Sequence, residues 1–330
     1  MATFTAYQLS APDPSGTPQG RFVEMTEDDL SPGDVVIKVA YSSINFKDAL
    51  AAAGINKIIR KFPRVGGIDL TGCVVRSTDP RFKRDDPVVV HGFGIGVDVD
   101  GGHAEYARVA ADWVLPLPNG LSLLETAALG AAGYTAALSL HWMEHNGLSP
   151  ESGAVLVSGA TGGVASVAID IMSGRGYSVT AMTGKESAHS YLRNLGAREV
   201  IDAAVAQPSG KPMETARWAG AVDSVGGEVL AWILRTSASD GVVTSFGNAG
   251  GSEFSGSVLP FILRGVRLIG INANSPMSLR RIVWEKLAGE YRPRHLDAIA
   301  DVIAFEQLPD AMQRMRSRQT QGRTLIRMTG

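Results

Sequence analysis

The sequence predicts an α/β protein in two parts: an irregular β-barrel or sandwich, and a doubly wound parallel sheet flanked by helices. Three observations carry this. The first third reads as short strands separated by glycine clusters. After Asn119-Gly120, helical and strand patterns alternate as they do in βαβ units. The first strand of that alternation opens through a glycine turn directly into a helix.

Each element can be justified in order. Asp34-Val-Val-Ile-Lys-Val-Ala-Tyr-Ser alternates apolar and polar residues, as a half-buried strand does. Pro87–His91 and Ala104–Val109 are further short strands, with Gly66-Gly67, Gly92-Phe-Gly94 and Gly101-Gly102 between them. From Leu121 to Leu140 the pattern is helical and Ala-rich. Ala154–Ser158 is a continuous apolar run, the mark of a strand covered on both faces. Helices are then expected over Val164–Ser173 and Ser187–Leu195. Strands are expected at Ser178–Met182, Glu199–Ile201, Ala221–Val225, Val242–Phe246 and Arg267–Ile271. Helical patterns around Ile282–Leu287 and Leu308–Met315 precede a last alternating run, Gly322–Met328, expected to return as a strand to the first sheet.

Composition narrows the function classes. The chain has 330 residues, 45% apolar and 19% charged, with a net charge of −2. That is globular composition without a basic excess, so neither a nucleic acid nor an anionic membrane surface is an expected partner. Apolar stretches such as Glu125–Leu140 are interrupted and fall short of a membrane span of about 20 residues. The N-terminus lacks a basic flank followed by an apolar run, so a cytoplasmic place is expected. The single cysteine, Cys73, excludes an internal disulfide and any zinc site with two thiolates. It is expected to be a small buried apolar group.

The strongest motif is Val155-Leu-Val-Ser-Gly159-Ala-Thr-Gly162-Gly163-Val164-Ala165. A strand, a glycine turn and a helix start together make a pyrophosphate cradle, because the helix N-terminus offers unpaired N–H groups and a positive dipole end. The glycine spacing is degenerate, and an ordinary βα turn is the competing reading. Cofactor contacts are expected from Ala160, Thr161, Gly162, Gly163 and Val164. The next strand ends Ala181-Met-Thr183-Gly184-Lys185-Glu186-Ser187 with no carboxylate at its tip. NAD sites place an acid there for the ribose 2′-hydroxyl. Thr183, Gly184 and Lys185 suit a 2′-phosphate instead, so NADPH is the expected cofactor. Asn248 and Asn272 follow later strands and, at carboxyl ends, should face the ligand crevice.

With these residues placed, the chain resembles the medium-chain dehydrogenases/reductases of the quinone-oxidoreductase-like branch. More narrowly, it is similar to the NADPH-dependent acryloyl-CoA reductases. The matching segments run end to end: Ser42-Ser-Ile-Asn45-Phe-Lys-Asp48, Ile58–Pro63, Gly67-Ile-Asp69-Leu-Thr-Gly72, Gly130-Ala-Ala-Gly133-Tyr-Thr135, the glycine turn, Pro260-Phe-Ile-Leu-Arg264, and Gln321-Gly-Arg323. The resemblance implies a GroES-like catalytic domain from residues 1–124 and 273–330 around a Rossmann domain at 125–272, with the cofactor in the cleft. Zinc-dependent relatives carry a thiolate where this chain has Asn45 and a Gly-His-Glu where it has Gly67-Ile68-Asp69, so no metal is expected. The implied reaction is metal-free hydride addition to the β-carbon of acryloyl-CoA, giving an enolate that takes a proton at the α-carbon.

The resemblance also implies roles. Backbone N–H groups near Asn45 and Phe46 and the cofactor's own ribose hydroxyl are candidates to hold the enolate, and Asp48 to orient the loop. Phe46, Thr135, Ile262 and Arg323 join the cofactor set, Arg323 as a phosphate ligand. Lys57, Arg60, Lys61 and Arg64 are candidates for the phosphates of CoA. Related reductases have a tyrosine near the position of Asn56, and its absence leaves solvent, Tyr41 or Tyr134 open as proton donor. His141 and His145, four apart, read as a solvated helix face. A homodimer is the implied assembly. Two other readings stay open: a quinone or α,β-unsaturated carbonyl reductase, and a non-catalytic NADPH-binding sensor or structural protein.

Overall fold

The computed structural model describes residues 3–14 and 16–328. Along the chain run β1 (Phe4–Ser10), β2 (Gln19–Met25), β3 (Val35–Ile44), α1 (Phe46–Ala52), β4 (Arg64–Val65), β5 (Asp69–Ser77), β6 (Pro87–His91), β7 (Tyr106–Val109) and β8 (Val114–Pro116). Then come α2 (Leu123–His145), β9 (Ala154–Val157), α3 (Gly163–Gly174), β10 (Ser178–Thr183), α4 (His189–Asn194), β11 (Glu199–Asp202), β12 (Trp218–Asp223), α5 (Gly227–Thr236) and β13 (Ser237–Ser245). The chain closes with α6 (Leu259–Arg264), β14 (Arg267–Gly270), α7 (Met277–Ala288), α8 (Leu296–Ile299), β15 (Ala300–Ala304), α9 (Leu308–Arg316) and β16 (Arg323–Arg327).

Two compact units result. The first comprises 1–131, 274–281 and 300–330; the second comprises 132–273 and 282–299. Residues 282–299, expected in the return segment, thus pack with the second unit.

In the first unit the strand order is β15-β16-β3-β5-β6-β8, with β7 also on β3. The final strand lies between β15 and β3, with Leu325 opposite Ser43 and Ile326 opposite Ser42. The expected return to the first sheet is therefore present. Ile37, Leu70, Val88, Val90 and Ile326 fill the interior, closed by Phe305, Leu308 and Met312. A smaller sheet, β2-β1-β4, adds Phe4, Met25 and Val65 in a satellite core.

In the second unit six parallel strands run β11-β10-β9-β12-β13-β14. This is the doubly wound order whose direction reverses between the first strand and the fourth, here β9 and β12. Val155, Leu156 and Val157 on β9 are fully buried, as a strand covered on both faces requires.

α2 corrects one expectation. Its 23 residues are long and apolar enough to cross a membrane, yet 83% of its most apolar window is buried within the protein. It is the core helix of a globular fold, and it is broken at Gly130, where φ is 47° and ψ is −148°. Cys73 is also less buried than expected, lying half-exposed on β5.

Candidate active site

In the first unit the chemistry gathers where β3 ends and α1 begins. Asn45 is the N-cap of α1, extended at φ −106° and ψ 157°. Its backbone N–H donates to Asp48 Oδ2 at 2.8 Å, and the other oxygen of Asp48 accepts from Ile68 N–H at 3.1 Å. Asp48 thus ties the turn to the strand opposite. Burial raises its carboxyl above the usual carboxylate range, partly offset by nearby His103. The Asn45 N–H expected to hold an enolate is therefore already engaged.

Asp69, at the start of β5, is 2% exposed. It accepts from the Ser43 hydroxyl, from Asn45 Nδ2 at 3.1 Å and from the Ala131 N–H at 2.9 Å. Arg323, from the last strand, completes the cluster. Its Nη2 reaches Ser43 Oγ at 2.6 Å, Nη1 reaches Asn45 Oδ1 at 3.0 Å, and Nε reaches the Ala128 carbonyl at 3.1 Å. Arg323 is 2% exposed. This corrects its expected role: the guanidinium is committed to internal acceptors, not to a phosphate.

The basic run divides. Lys57, Arg60 and Lys61 are exposed. Arg64 is 9% exposed and pairs with Asp100 at 3.2 Å, while also donating to Ser31 Oγ at 2.9 Å. Its place in a substrate patch is corrected accordingly. Position in a charged run does not decide whether the backbone turns a side chain outward. Phe46 is 37% exposed on α1.

In the second unit the glycine turn joins β9 to α3. Gly159 has φ +58°, and a Cβ there would meet Ser224 Oγ at 2.3 Å, so only glycine fits. Gly162 caps α3, whose first N–H groups at Gly163 and Val164 lie ahead of any intrahelical acceptor. Ala160 N–H bonds the Met182 carbonyl at 3.0 Å, fixing the turn to β10, and Ala160 and Thr161 are buried. At the tip of β10 the Thr183 hydroxyl accepts from Lys185 N–H at 3.1 Å, which leaves its hydrogen to donate. Gly184 has open space around its Cα, and Glu186 and Ser187 are exposed. Partial burial holds the Lys185 ammonium below its ordinary value. A helix start opened by two glycines, next to a strand tip with a hydroxyl and an ammonium, fits a dinucleotide bearing a 2′-phosphate.

Asn248 lines a cavity of about 450 Å³ with Gly226, Ser245, Gly247, Phe254 and Gly270. Asn272 is exposed just past β14, and Thr135 is buried on α2. Ile262 is 69% exposed on α6. Of the tyrosines weighed as proton donor, Tyr134 is fully buried against the Trp284 ring at 6.4 Å, and Tyr41 carries Arg327 over its face at 6.0 Å. The rings of His141 and His145 lie 6.5 Å apart. Among the described residues no group of three or more His, Cys, Asp or Glu is placed to hold a metal.

Two residues escaped the sequence reading. Asp223, fully buried at the end of β12, accepts from Ser158 Oγ at 2.7 Å, Ser245 Oγ at 2.9 Å and Gly226 N–H at 3.1 Å, tying three strand tips together. An acid ending the apolar run Ala219–Val222 was its signal. Ser43 had none, because a serine inside a strand looks like any other polar position.

The fold and these residues agree with known families. Residues 31–119 match the alcohol dehydrogenase GroES-like domain, and residues 163–289 match the zinc-binding dehydrogenase family. The chain belongs to the medium-chain dehydrogenase/reductase superfamily of oxidoreductases. Within it, the chain is 45% identical over 307 residues to the putative quinone oxidoreductase YhfP of Bacillus subtilis, covering 92% of this chain and 93% of that one. The crystal structure of that protein with NAD bound has a TM-score of 0.96 at 43% identity, covering 99% and 100%. The acrylyl-CoA reductase AcuI of Ruegeria pomeroyi is 38% identical over 325 residues, 98% of each chain. The YhdH oxidoreductase of Salmonella enterica in complex with NADP has a TM-score of 0.95 at 39% identity, covering 98% and 100%.

Proposed function

We propose that this protein is a cytoplasmic, NADPH-dependent reductase of an activated C=C bond, with acryloyl-CoA as substrate and propanoyl-CoA as product. The observation that carries the reading is the tip of β10, where Thr183 ends and Lys185 follows the strand paired with β9, whose glycine turn opens α3 at Gly162 and Gly163, and no carboxylate occupies the strand end. Similarity to an acrylyl-CoA reductase across nearly the whole chain supports the substrate, as does the exposed Lys57, Arg60 and Lys61 set.

Ala160, Thr161, Gly162, Gly163 and Val164 would cradle the pyrophosphate. Gly184 and Lys185 would take the 2′-phosphate, while Thr135, Asn248 and Asn272 would meet the nicotinamide. Bound there, NADPH supplies a hydride. The turn at Asn45 and Phe46, braced by Asp48 and Asp69, would orient the thioester so that its β-carbon is the atom attacked. With Tyr134 buried, solvent or Tyr41 would supply the proton for the α-carbon. No metal enters this scheme. A homodimer is supported by exposed Val258, Ile262 and Leu263 beside the open edge of β14.

The second reading is a quinone reductase, favoured by the similarity to YhfP. Acryloyl-CoA, crotonyl-CoA and a quinone, each assayed with NADPH and NADH, separate the two. Lys185→Ala should weaken NADPH by roughly 10- to 100-fold, as loss of a charge-assisted phosphate contact does, and leave NADH nearly unchanged. Replacing Lys57, Arg60 and Lys61 by Gln should raise KM for acryloyl-CoA and spare the quinone. Equal losses for both nucleotides would place the 2′-phosphate elsewhere. Turnover of the quinone alone would exchange the substrates.

A further inference from the structure

Arg323 carries an unusual load for one side chain. Its Nη1 donates to Asn45 Oδ1 at 3.0 Å, while Asp69 Oδ2 accepts from Asn45 Nδ2 at 3.1 Å. Together they fix the amide. Turned over, it would set donor against donor at Arg323 and acceptor against acceptor at Asp69. The same two residues serve the break in α2. Arg323 Nε takes the carbonyl of Ala128, just before Gly130, and Asp69 takes the N–H of Ala131, just after it. A cation on the ending carbonyls and an anion on the starting N–H groups is the pairing that the helix dipoles favour. Within the cluster Arg323 and Asp69 are 3.5 Å apart, with side chains 3% exposed.

We propose that Arg323 is a positioning residue for the reaction. Its guanidinium, acting through Asn45 and Ser43, sets the geometry at the start of α1 and fastens it to the break in α2. This rests on the reading of Asn45 and Phe46 as the substrate side of the site.

The test is chemical rescue. Arg323→Ala removes the guanidinium and leaves space for a free one. The kcat with acryloyl-CoA should fall by roughly 10²-fold, as displacement of a reacting group by about 1 Å does. The Kd for NADPH, set in the second unit, should stay within about twofold. Guanidinium chloride, far below denaturing concentrations, should restore much of kcat, and urea, similar in shape but uncharged, should restore none. The side-chain ¹⁵NH₂ signal of Asn45 should shift in the variant and return with guanidinium. That readout needs no turnover, so it still decides the matter if the substrate reading fails. Arg323→Lys covers the case in which the alanine variant does not fold: it should keep NADPH affinity, lose kcat and show no response to guanidinium. Wild-type kcat in either variant, an unmoved Asn45 signal, or equal rescue by urea would overturn the proposal.

Discussion

Burial decides what each ionisable residue does, and His91 shows how. It is fully buried, beside Arg280, whose Nη1 reaches its carbonyl at 2.6 Å and its Nδ1 at 2.9 Å. Desolvation first, and the neighbouring guanidinium second, hold the imidazole well below its ordinary value of 6.5. The folded protein therefore refuses a proton that the unfolded chain accepts. As pH falls below about 6.5 stability should drop, by at most about 1.4 kcal/mol per pH unit for this one group; above that pH the group contributes no slope. Urea unfolding between pH 7.5 and 5.5 checks it: His91→Gln should show a shallower acid slope than wild type, and parallel slopes would contradict the assignment. The same contrast explains which site residues were legible. Lys185 could be proposed from sequence because the argument for it lies in a local strand–turn–helix pattern. Arg64 and Arg323 could not, because their partners come from distant segments: Asp100 for one, and Ser43, Asn45 and Asp69 for the other.

At the scale of elements, α2 is the informative case. Its helical pattern was readable from Leu121 onward, but the break was not. A glycine inside an apolar helical run reads equally as a tolerated residue or as an interruption. Here φ is +47°, and a Cβ would meet Asp69 Oδ2 at 2.5 Å and Arg323 Nη2 at 2.9 Å. Gly130→Ala should therefore cost about 2–4 kcal/mol, combining backbone strain with displacement of a buried charged pair. Gly147→Ala is the control. It too has positive φ, at +92°, but nothing lies within 4 Å of the new atom. It should cost only about 1 kcal/mol. Similar losses in the two variants would mean that the contacts at Gly130 contribute nothing. β5 was missed for a related reason. Its Asp69 and Gly72 look like turn residues, and its central position removes the alternation that marks a half-buried strand.

On the scale of the whole molecule, the alternating half was the easier to read. Its sheet joins consecutive βα segments, so local order maps onto spatial order, whereas the barrel is assembled from both ends of the chain. The surface carries its own expectation. Val258, Ile262 and Leu263 are each more than 60% exposed, next to β14, which among the described residues pairs with a strand on one side only. If a second copy covers them, Val258→Asp should halve the mass measured by sedimentation and leave nucleotide affinity intact. An unchanged mass in that variant would remove this face from the assembly.

The placement of β16 has a consequence during synthesis. Arg323 and its hydroxyl partner Ser43 are 280 positions apart along the chain. A ribosome therefore exposes β3 long before the strand that will lie against it has been made. The alternating unit can condense while translation continues, but the barrel stays open until β16 has been made. A stop placed before β16 would leave a nascent barrel with an unprotected seam.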